Sequence, residues 1–282
     1  MEKIGLMIDS TTLTRTNLLD YGFIKVAQLN VTVDGVQYKE NELTTEIMQE
    51  NLRTGKKMIT SQPSPGEILE IYNQFFDEGY TNVLVVTLSE KISGTFQSAL
   101  IAKTMFDKPM ELSVHAPQVA SFGVANSVNV IADAIAANQG FIEIVDLYYR
   151  IFKNTDLLFT LSNLMHLFRG GRLSRIQALL GTVLRIKPII KMIDGKLHLI
   201  KKERTNNACY DFFMTIIADY SSKYETVYLD IIDLNQEEWA KKIKAEVGAT
   251  HKNVHIHMTN FVSPVFFVHL GDRGFGIAIA GI

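Results

Sequence analysis

Along its first half the chain alternates short apolar runs with segments of helical period. Ile4 to Ile8 is uninterrupted by polar residues and reads as a buried strand ending in Asp9-Ser10-Thr11-Thr12. Val26 to Tyr38 alternates, and its Asp34-Gly35 pair predicts a hairpin turn. Ser64-Pro65-Gly66-Glu67 has a capping serine, a proline for the first helical position and a glutamate at the third. That predicts a helix to Phe76 or Asp77, with Gly79 just past its end. A strand over 83–88, a helix over 94–106, a strand over 111–115 and a helix over 124–138 follow. Such alternation predicts a mostly parallel sheet with helices on both faces, and ligands gather at the carboxyl ends of such strands.

The second half has another rhythm. Residues 186–193 and 196–202 around Asp194-Gly195 read as a hairpin, and 207–221 as a helix. A strand at 226–232, a helix at 236–247 and three strand-like runs at 253–258, 261–269 and 275–281 complete the chain. This is α+β in character. The expected fold class is therefore α/β with two domains, residues 1–156 and a smaller α+β unit over 157–282, with segments around 57–80 open to exchange.

Composition narrows the function. Over 282 residues, 47% hydrophobic and 21% charged content is that of an ordinary soluble globular protein. A net charge of −2 argues against a nucleic-acid partner. No apolar run is long enough to span a membrane, the first residues lack a signal-peptide pattern, and the single Cys209 fits a reducing cytoplasm. A cytoplasmic location is the expectation. Cys209 reads as a small apolar helix residue rather than a thiol nucleophile.

Two hydroxyl-rich turns carry the first candidate chemistry: Thr60-Ser61-Gln62-Pro63-Ser64, and Ser93-Gly94-Thr95-Phe96-Gln97-Ser98-Ala99. Each is expected to open a helix, where unpartnered amides and the helix dipole favour an anion. Two such turns brought together could hold one carboxylate or phosphate. Arg169-Gly170-Gly171-Arg172 comes next. Glycines let backbone approach a neighbour, and a guanidinium can pair bidentately with an anion. A helix C-terminus followed by a solvated arginine is the plainer alternative. Residues 169–204 hold ten lysines and arginines against two acidic residues, a net +8, which concentrates anions or docks an acidic surface.

These turns, with Arg169-Gly170-Gly171-Arg172, Ile186-Lys187-Pro188-Ile189 and His269 in the last strand pair, occur in an order that resembles the DegV family of fatty-acid-binding proteins. The resemblance covers essentially the whole chain. It implies a two-domain fold with a long-chain fatty acid, such as palmitate or oleate, between the domains. Ser61 and Ser93 would hold the carboxylate, with Gly94 beside them and Arg172 and His269 lining the head-group site. It further implies no cofactor, no catalytic residue and no metal. The partner would be a separate bacterial ATP-dependent kinase that makes an acyl phosphate, and membrane contact would be transient. Three positions depart from the family pattern: Leu13 replaces an aspartate, Ala116-Pro117 lacks a nearby Asp-Ser or Asp-Thr pair, and Gly271-Asp272-Arg273 lacks a proline and a glycine.

A fatty acid needs a carboxylate clamp and an apolar slot, and Phe, Met, Ile and Leu are plentiful enough to line one. Two rival readings remain. A serine esterase would use Ser61 or Ser93 with His269 as base, but neither serine lies in a G-x-S-x-G elbow. A regulatory or nucleic-acid module would use the basic segment, but no helix-turn-helix or stacking signature accompanies it. His255 and His257 share a strand face without a third ligand in view, Asp9 reads as a turn cap, and Trp239 as a packing anchor.

Overall fold

The structure is a computed structural model that describes residues 2–14, 16–173, 186–259 and 261–282. Its first sheet is formed by β1 (Ile4–Asp9), β2 (Ile24–Ala27), β6 (Asn82–Val86) and β7 (Glu111–His115) in the order β2-β1-β6-β7, all parallel. The period-two rule separates its faces. Met7, Val83 and Val85 pack on one side against α2 (Pro65–Asp77) and α3 (Thr95–Met105), through Ile68, Tyr72, Phe75, Ala99 and Ala102. Leu6, Ile8, Leu84 and Val86 pack on the other against α4 (Phe122–Ala136) and α5 (Phe141–Lys153). Gly5 is required here, since a Cβ would lie 2.6 Å from the Phe75 ring.

The second sheet has six strands in the order β10-β9-β8-β13-β11-β12. These are β8 (Thr155–Leu161), β9 (Lys187–Ile193), β10 (Lys196–Glu203), β11 (Val227–Leu234), β12 (Val254–Thr259) and β13 (Gly274–Gly281). Only the β11–β12 pair is parallel. Leu157, Phe159, Ile232 and Ala278 share the core of α4 and α5, so that helical layer lies between the two sheets. Leu158, Ile231, Phe275 and Ile277 face the other way, onto α7 (Asn206–Lys223) and α8 (Glu237–Thr250). The mostly parallel sheet with flanking helices, joined to an α+β unit, is the fold class the sequence predicts.

A third, three-stranded sheet joins β3 (Asn30–Val33), β4 (Val36–Lys39) and β5 (Met58–Ser61) in the order β4-β3-β5. The β3–β4 hairpin turns at Asp34 and Gly35, both at positive φ, as the pair predicts. This sheet packs on α1 (Thr45–Arg53) and α9 (Pro264–Leu270) through Val31, Met48, Val265 and Phe267.

One reading of the sequence changes. The run 261–269 is not a strand: Ser263 caps α9, its hydroxyl accepting from the Phe266 amide, with Pro264 at the first position. His269 therefore sits on a helix. The turn Thr60–Ser64 opens a helix as expected: Ser61 ends β5, and Ser64 caps α2, exchanging hydrogen bonds with Glu67.

Candidate functional site

Between the six-stranded sheet, the start of α4, the small sheet and α9 lies a cavity of about 920 Å³, including its open mouth. Its walls are mostly apolar. Leu157, Phe159 and Leu161 come from one face of β8, Ile232 and Leu234 from β11, and Met192 and Leu197 from the β9–β10 hairpin. That hairpin is held against the first sheet where the Ser89 hydroxyl donates to the Gly195 carbonyl at 2.9 Å.

Ser61, Ser93, Arg172 and His269 all line this cavity, although they are far apart in sequence. Gly94, next to Ser93, does not itself line the cavity. A Cβ on it would come 2.8 Å from the Gln62 side chain, so its bareness lets the Ser61 strand end approach the start of α3. Ser61 is exposed at the mouth, and Ser93 is half-buried with its hydroxyl 3.0 Å from that of Thr95. The Thr95 amide also donates to the Ser93 hydroxyl at 3.3 Å.

The Arg169–Arg172 turn reaches the same place by its two glycines, each for its own reason. It follows α6 (Met165–Arg169). Gly171 has φ +71, a left-handed conformation that favours glycine. Gly170 faces His269, where a Cβ would fall 2.4 Å from Nδ1. Arg172 then donates from Nη1 to the Gly170 carbonyl at 2.6 Å and from Nε to the Ile92 carbonyl at 3.2 Å. The second bond ties this turn to the loop carrying Ser93. Burial pushes the guanidinium down from its ordinary value, yet it stays a cation.

His269 Nε2 meets the Thr60 hydroxyl at 2.9 Å, while Nδ1 is buried with no partner among the described residues. Burial, and then repulsion from Arg172 and His166, push the imidazole down to about 4, so it is neutral at pH 7. The helix that carries it is anchored by an acid the sequence did not single out. Glu40, almost fully buried, accepts from the Val265 amide at 2.9 Å at the start of α9 and from the Ser10 hydroxyl. Lys39-Glu40-Asn41-Glu42 reads as a solvated turn, so no sequence signal marked this residue. Asp9 caps its turn as predicted, accepting from the Thr11 amide at 3.0 Å, and reaches across to the Leu88 amide at 2.5 Å.

The remaining candidates lie elsewhere. His255 stacks on Tyr228 and His257 pairs with Asp230 at 2.7 Å. Cys209 is buried in the core, its thiol pushed up to about 11 chiefly by burial, and Trp239 stacks on Phe275. Within the basic segment, Arg175 and Arg185 fall outside the described residues. Lys191 pairs with Asp156 at 2.7 Å and Lys201 with Glu203 at 2.6 Å, while Lys196 and Lys202 are exposed. Among the described residues no helix is long and apolar enough to cross a membrane.

Fold and site together define a layered α/β protein built around one largely apolar cavity with hydroxyls, a cation and a neutral imidazole in its wall. The chain belongs to the DegV family: residues 3–281 match the family described as "Uncharacterised protein, DegV family". It is 31% identical to a DegV domain-containing protein of Halalkalibacterium halodurans, over 99% of this chain and 98% of the relative. Its structure matches that of DegV, a fatty acid binding protein from Bacillus subtilis, with TM-score 0.89 and 26% identity over 100% of both chains. A DegV family protein from Thermus thermophilus, described for its fatty acid binding, shares the fold with TM-score 0.88 at 24% identity, over 99% of this chain and 100% of that one.

Proposed function

We propose that this chain binds a long-chain fatty acid such as palmitate or oleate, acting in the cytoplasm as a binding protein rather than an enzyme. The carboxylate is held by Ser61 and Ser93 beside Gly94, with Arg172 and His269 completing the head-group site, and the acyl chain occupies the apolar cavity. The observation that carries this reading is the convergence of those four side chains on one largely apolar cavity. The fatty acid binding of the related Bacillus subtilis protein supports it. Each buried methylene contributes ~0.8 kcal/mol, so the chain dominates affinity while the polar clamp fixes orientation. No cofactor takes part.

The bound acid is then presented to a separate ATP-dependent kinase. A carboxylate oxygen attacks the terminal phosphorus of ATP, the bond to the bridging oxygen breaks, and acyl phosphate and ADP leave. Arg172 suits that step, because an acyl phosphate carries more charge than a carboxylate. Exposed Lys202 and its neighbours would meet an acidic partner surface. Arg172→Ala should suppress partner-dependent phosphorylation more than fatty-acid binding; equal losses would assign Arg172 to the clamp alone. The altered Gly271-Asp272-Arg273 loop favours a second reading, a fatty-acid carrier or buffer without a kinase. In that case no cognate kinase would phosphorylate the bound acid.

A further inference from the structure

Among the polar groups of the cavity that a carboxylate clamp does not use, Ser121 stands out. Ser121 precedes α4, lines the cavity and is only 2% exposed. Its hydroxyl has no hydrogen-bond partner among the described residues. This is unusual for a serine at the start of a helix. Ser64 and Ser263 occupy equivalent places with φ −71 and −54, and both accept from a helix amide. Ser121 instead has φ 49 and ψ −116, and makes no side-chain cap. A non-glycine residue holds such a conformation only where its surroundings impose it.

The surroundings are apolar. Leu88, Phe122, Leu157 and Phe159 line the same cavity and belong to one buried core. An unpaired hydroxyl there is costly, whereas the Gly123, Val124 and Ala125 amides at the start of α4 already donate to the Ala120 and Ser121 carbonyls. The Ser121 hydroxyl therefore offers a hydrogen-bond donor in the wall of a slot that a plain hydrocarbon chain cannot use.

Resting on the fatty-acid reading, we propose that the preferred ligand carries a second oxygen along its chain, as a hydroxy, oxo or epoxy fatty acid does, and that this oxygen accepts from Ser121. The carboxylate then fixes one end of the ligand, and the second contact fixes how far the chain enters. Without a partner, burying a mid-chain hydroxyl would weaken binding by roughly tenfold or more relative to the plain acid.

The test is a titration of the full chain with stearate and with monohydroxystearates whose hydroxyl is stepped along the chain. It is run on the wild type, Ser121→Ala and Ser121→Gly. The glycine variant removes the same hydroxyl and accepts positive φ, so a folding defect in the alanine variant does not end the test. At least one isomer should bind the wild type more tightly than stearate. For that isomer, both variants should lower the ratio of hydroxystearate to stearate affinity by roughly tenfold. The proposal is overturned if no isomer binds the wild type more tightly than stearate. An unchanged ratio in the variants overturns it as well. Covalent labelling of Ser121 by a fluorophosphonate would make it a nucleophile instead, and would also overturn it. If stearate itself fails to bind, the fatty-acid reading fails first and takes this inference with it.

Discussion

His269 should be neutral near pH 7, and the stability of the protein should report it. Burial is the largest cause, followed by Arg172 and His166, and the folded value lies near 4 against 6.5 for a free imidazole. A folded value below the unfolded one gives stability that is fully present above 6.5 and is lost as pH falls toward 4. At about 1.36 kcal/mol per pH unit, that interval is worth about 3.4 kcal/mol. His269→Gln keeps a polar side chain for Thr60 but cannot titrate. Urea unfolding of both proteins at stepped pH isolates the residue. Wild-type stability minus variant stability should be constant above 6.5 and fall by about 3 kcal/mol by pH 4. A difference constant to within about 0.5 kcal/mol would refute the reasoning, since a normally titrating imidazole gives no such interval. On the fatty-acid reading, a carboxylate beside Arg172 offsets the guanidinium charge. Added palmitate should then raise the His269 midpoint seen by NMR.

Asp9 should show the opposite slope: burial lifts it from 3.8 to about 7, against donors from Thr11 and Leu88. Its contribution is present below 3.8 and lost as pH rises to about 7, so wild type should lose stability relative to Asp9→Asn over that window; a flat difference would contradict this. Gly170→Ala should displace His269, whose Nδ1 would lie 2.4 Å from the new Cβ, at a cost of about 1–3 kcal/mol in urea unfolding; an equally stable variant would show that this approach is not tight. Ser61→Ala combined with Ser93→Ala should weaken palmitate binding by roughly a hundredfold or more, each charge-assisted bond being worth ~1.5–3 kcal/mol. Loss of the Ser93 contact to Thr95 should cost about 1 kcal/mol, so lowered stability with unchanged affinity would make these serines structural.

Much of the fold is legible because the relevant signals are local. Capping and turn chemistry alone fix the Ser64-Pro65-Gly66-Glu67 start and the Asp34-Gly35 turn. The run 261–269 misleads because a continuous apolar stretch has no period to distinguish helix from strand. Ser263-Pro264 carries the same start signal as Ser64-Pro65 and would have placed α9. The coming together of Ser61, Ser93, Arg172 and His269 was visible through resemblance, whereas the roles of the two glycines needed coordinates. Gly170 is explained by a side chain 99 positions away, and Gly94 by Gln62 across a loop. Glu40 and Ser121 gave no sequence signal, since burial makes them notable and burial is a property of the assembled layers. The same holds for the slot, whose lining and core residues share one composition.

The central claim is that the cavity holds a long-chain fatty acid. Denaturing extraction of the natively purified chain, followed by mass spectrometry and by titration of the delipidated protein with palmitate and oleate, tests it most directly. The account predicts a long-chain fatty acid in near-stoichiometric amount and saturable uptake of the added acid. An extract without lipid, together with no saturable uptake of either acid, would contradict it.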